Sequence, residues 1–123
     1  MKSTIKVINM YIPNIPEFAD HSERLVLQCL ITEALALGHK VSVFEGEDYA
    51  VKRSTNFEDI MDGCASTGED WIVIRDQDNK KLGTFYLIYG NCDEDEAMEL
   101  IADHSDNDFS DELYNKVSDQ IEH

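Results

Sequence analysis

Apolar and polar residues alternate from Thr4 to Tyr11, with Ile5, Val7 and Met10 set among polar neighbours. That spacing predicts a strand with an irregularity near Asn9. Pro13 and Pro16 then impose an extended connection, because each proline also restricts the residue before it. From Asp20 to about Leu37 the period becomes helical. Asp20 with Glu23 resembles a capping box, Ser22 is a rival cap, and Gly38 supplies a left-handed stop. Arg24, Gln28, Thr32 and Ala36 form a mostly polar stripe with Glu33 beside it, and Leu25, Leu27, Leu30, Ile31, Ala34 and Leu35 make most of the rest apolar. The pattern predicts a largely buried helix.

Val41, Val43 and Phe44 make a short strand, Glu45 to Asp48 a turn, and Tyr49, Val51 and Arg53 a returning strand. Asn56 is placed to cap a short helix through Phe57, Ile60 and Met61 that closes near Gly63. Trp71 to Ile74 and Thr84 to Tyr89 flank a polar turn from Asp76 to Lys81, a second hairpin and the most β-prone run of the chain. Ala97, Met98, Leu100 and Ile101 give one apolar side of a helix beginning near Asp93, with Glu96, Glu99 and Asp103 sharing its outer side. Phe109, Leu113, Val117 and Ile121 recur every four residues, the stripe of a docked amphipathic helix. Ser110 is placed to cap it, with Phe109 and Tyr114 as a hydrophobic staple.

The order β-α-β-β-α-β-β followed by helices predicts a single α+β domain over residues 1–123, with about five mainly antiparallel strands packed by helices and an acidic helical region over 92–123. Its first six elements match the split βαβ, ferredoxin-like order. No apolar run approaches the roughly 18 residues of a spanning helix, and the first 18 residues lack the apolar stretch of a signal peptide. Cys29, Cys64 and Cys92 cannot all pair within one chain, so three reduced thiols in a cytoplasmic protein are expected.

Charge changes this picture more than any motif. The 123 residues hold 26 acids and 10 bases, a net charge of −16. From Cys92 to His123 stand twelve acids and one base, Lys116, so this stretch carries eleven of the sixteen net charges. Such a field repels nucleic acid and anionic membranes and attracts basic surfaces. The one basic cluster, Lys52-Arg53-Ser54-Thr55, with Arg75, Lys80 and Lys81 near it across the sheet, reads as a solvated strand face pairing with surrounding acids.

Catalytic and metal patterns do not compete with the charge. Asp76 to Asn79 and Asp103 to Asp108 look like calcium loops, but a calcium loop of the EF-hand type needs Gly at position six and a bidentate acid at position twelve. Counted from Asp103 those positions hold Asp108 and Tyr114, and from Asp76 they hold Lys81 and Leu87. Polar turns and helix caps are the expected roles. The Cys and His residues show no zinc spacing, no glycine-rich phosphate loop is present, and Cys29 falls on the apolar side of its helix. No cofactor, no metal and no enzymatic activity are expected.

Carboxylates three or four apart on a helix lie about 5–6 Å from one another, and one DNA strand places a charge every ~3.4 Å of axis. A rigid row of Asp and Glu therefore offers Arg and Lys what phosphates offer. Glu96, Glu99, Asp103, Asp111, Glu112, Asp119 and Glu122 are the candidate partner-binding residues, with Glu45, Glu47 and Asp48 as a second patch.

Tyr11-Ile12-Pro13 with Pro16-Glu17-Phe18, Val41-Ser42-Val43 with Gly46-Glu47, Val51 to Thr55, Leu87 to Asn91 and Asp103 to Asn107 resemble segments of small acidic proteins of bacteriophages, prophages and plasmids, mostly without assigned activity. The resemblance implies an inhibitor of host defence, of the anti-restriction, anti-CRISPR or glycosylase-inhibitor kind, several of which imitate DNA; the sequence pattern of no single inhibitor family is present. The expected function is a non-enzymatic protein that blocks the basic nucleic-acid-binding surface of a bacterial protein in the host cytoplasm. The alternative is a structural or regulatory module that binds through its sheet, with the acids only for solubility. Trp71, Phe85, Tyr86 and Tyr89 are then the candidates, of which strand alternation lets about half face outward.

Overall fold

A computed structural model describes residues 21–90 and 94–121. The strand expected over Thr4–Tyr11 and the connection through Pro13 and Pro16 lie outside them. Helix α1 (His21–Ala36) opens the described chain. It ends on Gly38 at φ +85, whose N–H reaches Leu35 O at 2.9 Å while His39 N–H reaches Ala34 O at 3.2 Å. This is the double-bonded Schellman stop, which needs the left-handed residue that glycine adopts without strain.

Strands β1 (Lys40–Phe44) and β2 (Tyr49–Ser54) form the first hairpin. Helix α2 (Phe57–Gly63) starts on Asn56, whose side chain accepts the Asp59 N–H at 2.9 Å. Strands β3 (Glu69–Arg75) and β4 (Lys81–Ile88) form the second hairpin. A 3₁₀ helix (Glu94–Leu100), strand β5 (Ile101–His104) and helix α3 (Asp108–Ile121) complete the fold. The sheet runs β2-β1-β3-β4-β5 and every pair is antiparallel. The molecule is thus a small α+β domain with a five-stranded antiparallel sheet.

Three expectations are corrected. The ferredoxin-like order separates the second and fourth strands of its pattern, whereas β1 here hydrogen-bonds both β2 and β3. The single helix expected from Asp93 through Asp103 is a 3₁₀ helix that gives way to β5, because Ile101, Asp103 and His104 find backbone partners on β4 opposite Leu87, Tyr86 and Phe85. Helix α3 is capped by Asn107, not Ser110: Asn107 Oδ1 accepts the Ser110 N–H at 2.9 Å. Ser110 is buried, and its hydroxyl shares a 2.6 Å hydrogen bond with that of Ser105.

The core lies on one face of the sheet. Val41, Val43, Ile72, Ile74, Phe85 and Leu87 point into it and meet Leu27, Leu30 and Ile31 of α1, Ile60 and Met61 of α2, Leu100, and Leu113 and Val117 of α3. α3 approaches β4 so closely that a Cβ at Gly83 would stand 2.2 Å from Ser110 Oγ. Polar side chains also serve inside. Gln28, expected on the polar stripe of α1, is buried, as is Glu23, whose two carboxylate oxygens each lie 2.9 Å from the Gly90 N–H. No helix among the described residues is long and apolar enough to cross a membrane.

Candidate functional site

Strand alternation sends the complementary positions to the other face, where most side chains are half-buried or exposed and Ser42 and Val73 are buried. Register makes a row of them. Tyr49 pairs Phe44, Phe44 pairs Trp71, and Trp71 pairs Tyr86, so four aromatic rings cross four strands. Their centroids are 5.1 Å (Phe44–Tyr49), 5.8 Å (Phe44–Trp71) and 4.7 Å (Trp71–Tyr86) apart, and the last two rings stack at 21°. Asp103 on β5, opposite Tyr86, extends the row. Of the four aromatics singled out in sequence, Trp71 and Tyr86 face outward while Phe85 and Tyr89 are buried. Phe44 and Tyr49 were not singled out; hairpin register on either side of the Glu45–Asp48 turn was the signal that places them in this row.

A second row crosses the same face. Lys40 pairs Arg75, which pairs Lys81. Lys40 Nζ donates to Asn79 Oδ1 at 3.1 Å and to Gln77 O at 3.3 Å, Arg75 donates to Asn79 O at 3.0 Å, and Lys52 Nζ sits 5.9 Å above the Tyr49 ring. Among the described residues the ion pairs are His104–Asp111 at 3.7 Å, which needs a protonated imidazole, and Lys116–Glu33 at 3.8 Å. Lys52, Arg53, Lys80 and Lys81 are solvent-exposed as expected, but the cations of β1 to β4 do not pair with carboxylates among the described residues, contrary to the acid pairing expected of them. Arg53 holds a left-handed backbone at φ 49, with its N–H on Ser42 Oγ at 2.8 Å.

Between Tyr86 and β5 lies an open groove of about 340 Å³, lined by Trp71, Lys81, Thr84, Tyr86, Asp103 and Ser105 among others. The hydroxyl of Tyr86 donates to Glu69, and that hydrogen bond raises the phenol above its ordinary value. Thr84 Oγ1, buried at this site, has no hydrogen-bond partner among the described residues.

The candidate acids are divided among three elements. Glu99 is exposed on the 3₁₀ helix and Asp103 on β5. Asp111 and Glu112 are exposed in the first half of α3, and Asp119 in its last turn. Glu96 belongs to the 3₁₀ helix, but its side chain lies outside the described residues, as does Glu122. Glu112 and Asp119, seven residues apart, fall on one side of α3. Glu47 and Asp48 are exposed at the β1–β2 turn, and Glu45 accepts the Ser66 hydroxyl at 3.3 Å.

The loops that resemble calcium sites have other uses. Asp76 Oδ1 accepts the N–H groups of Asp78 and Lys80, both at 2.9 Å, and Asn107 caps α3. Among the described residues no three His, Cys, Asp or Glu side chains are grouped to hold a metal ion.

The thiols and one carboxyl on the core side are strongly perturbed. Burial, helped by Glu33, pushes the Cys29 thiol up to about 12, and its Sγ donates to Gln120 Oε1 at 3.2 Å. Burial and then Asp70 raise Cys64. Both thiols therefore stay protonated near neutral pH, and neither is an activated nucleophile. Asp70 is fully buried; burial pushes it up to about 6 against the pull of hydrogen bonds from Ala65 N–H and Tyr89 OH, both at 2.7 Å.

No family model, curated protein or solved structure matches the chain.

Proposed function

We propose that this chain is a non-enzymatic binding protein that docks on a basic protein surface through the carboxylates of α3 and the adjoining 3₁₀ helix. What supports the reading is that these acids stand on a capped helix fixed to the core by Leu113 and Val117, so they are held in place before any partner arrives. Asp111, Glu112 and Asp119 are exposed, and the one cation among them, Lys116, is turned to Glu33. They take the role of phosphates toward Arg and Lys, with a basic, nucleic-acid-binding protein of the bacterial cytoplasm as the partner and a bacteriophage or plasmid as the source. Asp103 does not belong to this contact, since it stands in the row with Tyr86.

Capture from bacterial lysate at low and high salt, repeated with Asp111, Glu112 and Asp119 all changed to Lys, tests the proposal. A basic nucleic-acid-binding protein should be held by the native chain at low salt, released at high salt, and lost by the variant. Full-strength capture of the same partner by the triple variant sinks the idea.

The aromatic row favours a second reading, in which the sheet face is the contact and the acids solvate the opposite side. There Trp71→Ala and Tyr86→Ala, not the α3 reversals, abolish capture, and the bound partner resists salt.

A further inference from the structure

The groove beside β5 combines features that the acidic docking surface does not use. Trp71 covers one face of the Tyr86 ring, leaving the second face on the side of β5. On that side stands the exposed Asp103 carboxylate, whose Oδ1 takes the His104 N–H at 2.9 Å and whose Oδ2 has no hydrogen bond among the described residues. Lys81 lines the groove as an exposed ammonium without an ion pair among the described residues. Arg75 and Lys40 continue its row across the sheet, parallel to the aromatic rings. Thr84 lines the groove, and its buried hydroxyl has no partner among the described residues, a condition that buried polar groups rarely keep.

An exposed aromatic face recruits a planar ring by stacking, which is worth about 1–3 kcal/mol per base in nucleic-acid sites. A carboxylate beside it accepts a base amino group. A lone lysine takes an anion as a point charge. The groove volume falls at the small end of ligand sites, about 300–1,000 Å³.

We propose that this groove binds a free nucleoside monophosphate, the amino-bearing base on Tyr86 and Asp103 and the phosphate on Lys81. The net charge of −16 selects the monophosphate. Arg75 and Lys40 are turned to Asn79 and Gln77 and do not line the groove, so Lys81 compensates one phosphate there, and each further phosphate meets the negative field of the chain. Affinity therefore falls from mono- to di- to triphosphate, and the spread narrows as salt screens the field. A single-stranded oligonucleotide carries the same base and phosphate but more charge, and binds more weakly still. This site is independent of the α3 contact, so either stands if the other fails.

Trp71 is the single tryptophan of the chain and lies in the groove wall, so its fluorescence reports occupancy. Titration with AMP should give a saturable change, at least tenfold tighter than with ATP at low salt and absent with inorganic phosphate alone. Lys81→Ala should weaken AMP at least tenfold, and Asp103→Ala should weaken it several-fold. Both side chains are exposed, so the far-ultraviolet circular dichroism should remain native. No saturable change with AMP at millimolar concentration overturns the proposal, as does undiminished binding to the Lys81→Ala protein. Tighter binding of oligo(dA) than of AMP overturns it in favour of a nucleic-acid surface.

Discussion

Phe85 and Tyr86 are neighbours in the chain, yet they stand on opposite faces of β4, and the two faces use polar groups in opposite ways. On the core side buried polar groups fasten one segment to another. Glu23 holds the Gly90 N–H, Asp70 holds Ala65 and Tyr89, and Ser110 holds Ser105. On the outer side Lys40, Arg75 and Lys81 run in register without a carboxylate partner among the described residues, beside a row of aromatic rings. A chain with 26 acids had every opportunity to neutralise those cations. That it spends carboxylates on backbone N–H groups inside, and leaves cations unpaired outside, separates a scaffold face from a contact face.

The sharpest break of that comparison is the pair Phe85→Ala and Tyr86→Ala. Phe85 is fully buried, and its truncation should cost about 3–5 kcal/mol in urea unfolding. Tyr86 is half-buried on the outer face and its loss should cost less, about 1 kcal/mol. Comparable losses from the two would mean that the outer face is a second core rather than a contact surface.

Next in size is Asp70. Its folded-state value of about 6 lies above the ordinary carboxylate value, so the folded protein binds the proton more tightly than the unfolded chain. The stabilisation is complete below about pH 4 and is lost as pH rises through about 6, a change of about 3 kcal/mol at most. Asp70→Asn cannot titrate. Unfolding free energies of native and variant proteins, followed from pH 4 to 7, should therefore change relative to each other, the native protein losing ground as pH rises. A constant difference across that window would show that the Asp70 carboxyl is not perturbed by burial.

Gly83→Ala comes third. Its Cβ would stand 2.2 Å from Ser110 Oγ, 3.1 Å from Phe109 Cδ2 and 3.2 Å from Ser105 Oγ. Ser110 is buried and bonded to Ser105, so its hydroxyl has no room to move away. Shifting α3 off β4 should cost about 1–3 kcal/mol, and should loosen the Ser105–Ser110 contact in amide exchange.

Much of this scaffold is readable in the chain because local signals agree with the tertiary ones. Gly38 ends α1, Asn56 caps α2, and both hairpins follow from β-prone runs around polar turns. The miss at β5 has the opposite cause. Ile101-Ala102-Asp103-His104 has little β-propensity, and Ala97, Met98, Leu100 and Ile101 have helical spacing. Pairing with β4 overrides both, and no local signal announces it. The buried Glu23 was equally hidden, since its partner Gly90 is 67 residues away. The candidate acids were visible as composition, but their division between α3, the 3₁₀ helix and β5 depends on that same unreadable strand. Half of the aromatic row was legible from alternation; Phe44 and Tyr49 required the register of the hairpin.

The smallest effect separates two acids on one helix. Asp111 lies in the first turn of α3, where the helix dipole favours a negative charge, and beside His104 at 3.7 Å. Asp119 lies in the last turn, where the dipole opposes it and no basic residue compensates. Neutralising any acid relieves repulsion in a chain of charge −16, so the difference between the two variants is the informative quantity. Asp119→Asn should be more stable than Asp111→Asn by about 0.3–1 kcal/mol at low ionic strength, and the gap should close with added salt. An acid kept where it weakens its own helix is there for something other than the fold, as a partner-binding role for Asp119 requires. Equal stabilities would remove that argument and return Asp119 to the general solvating charge of the surface.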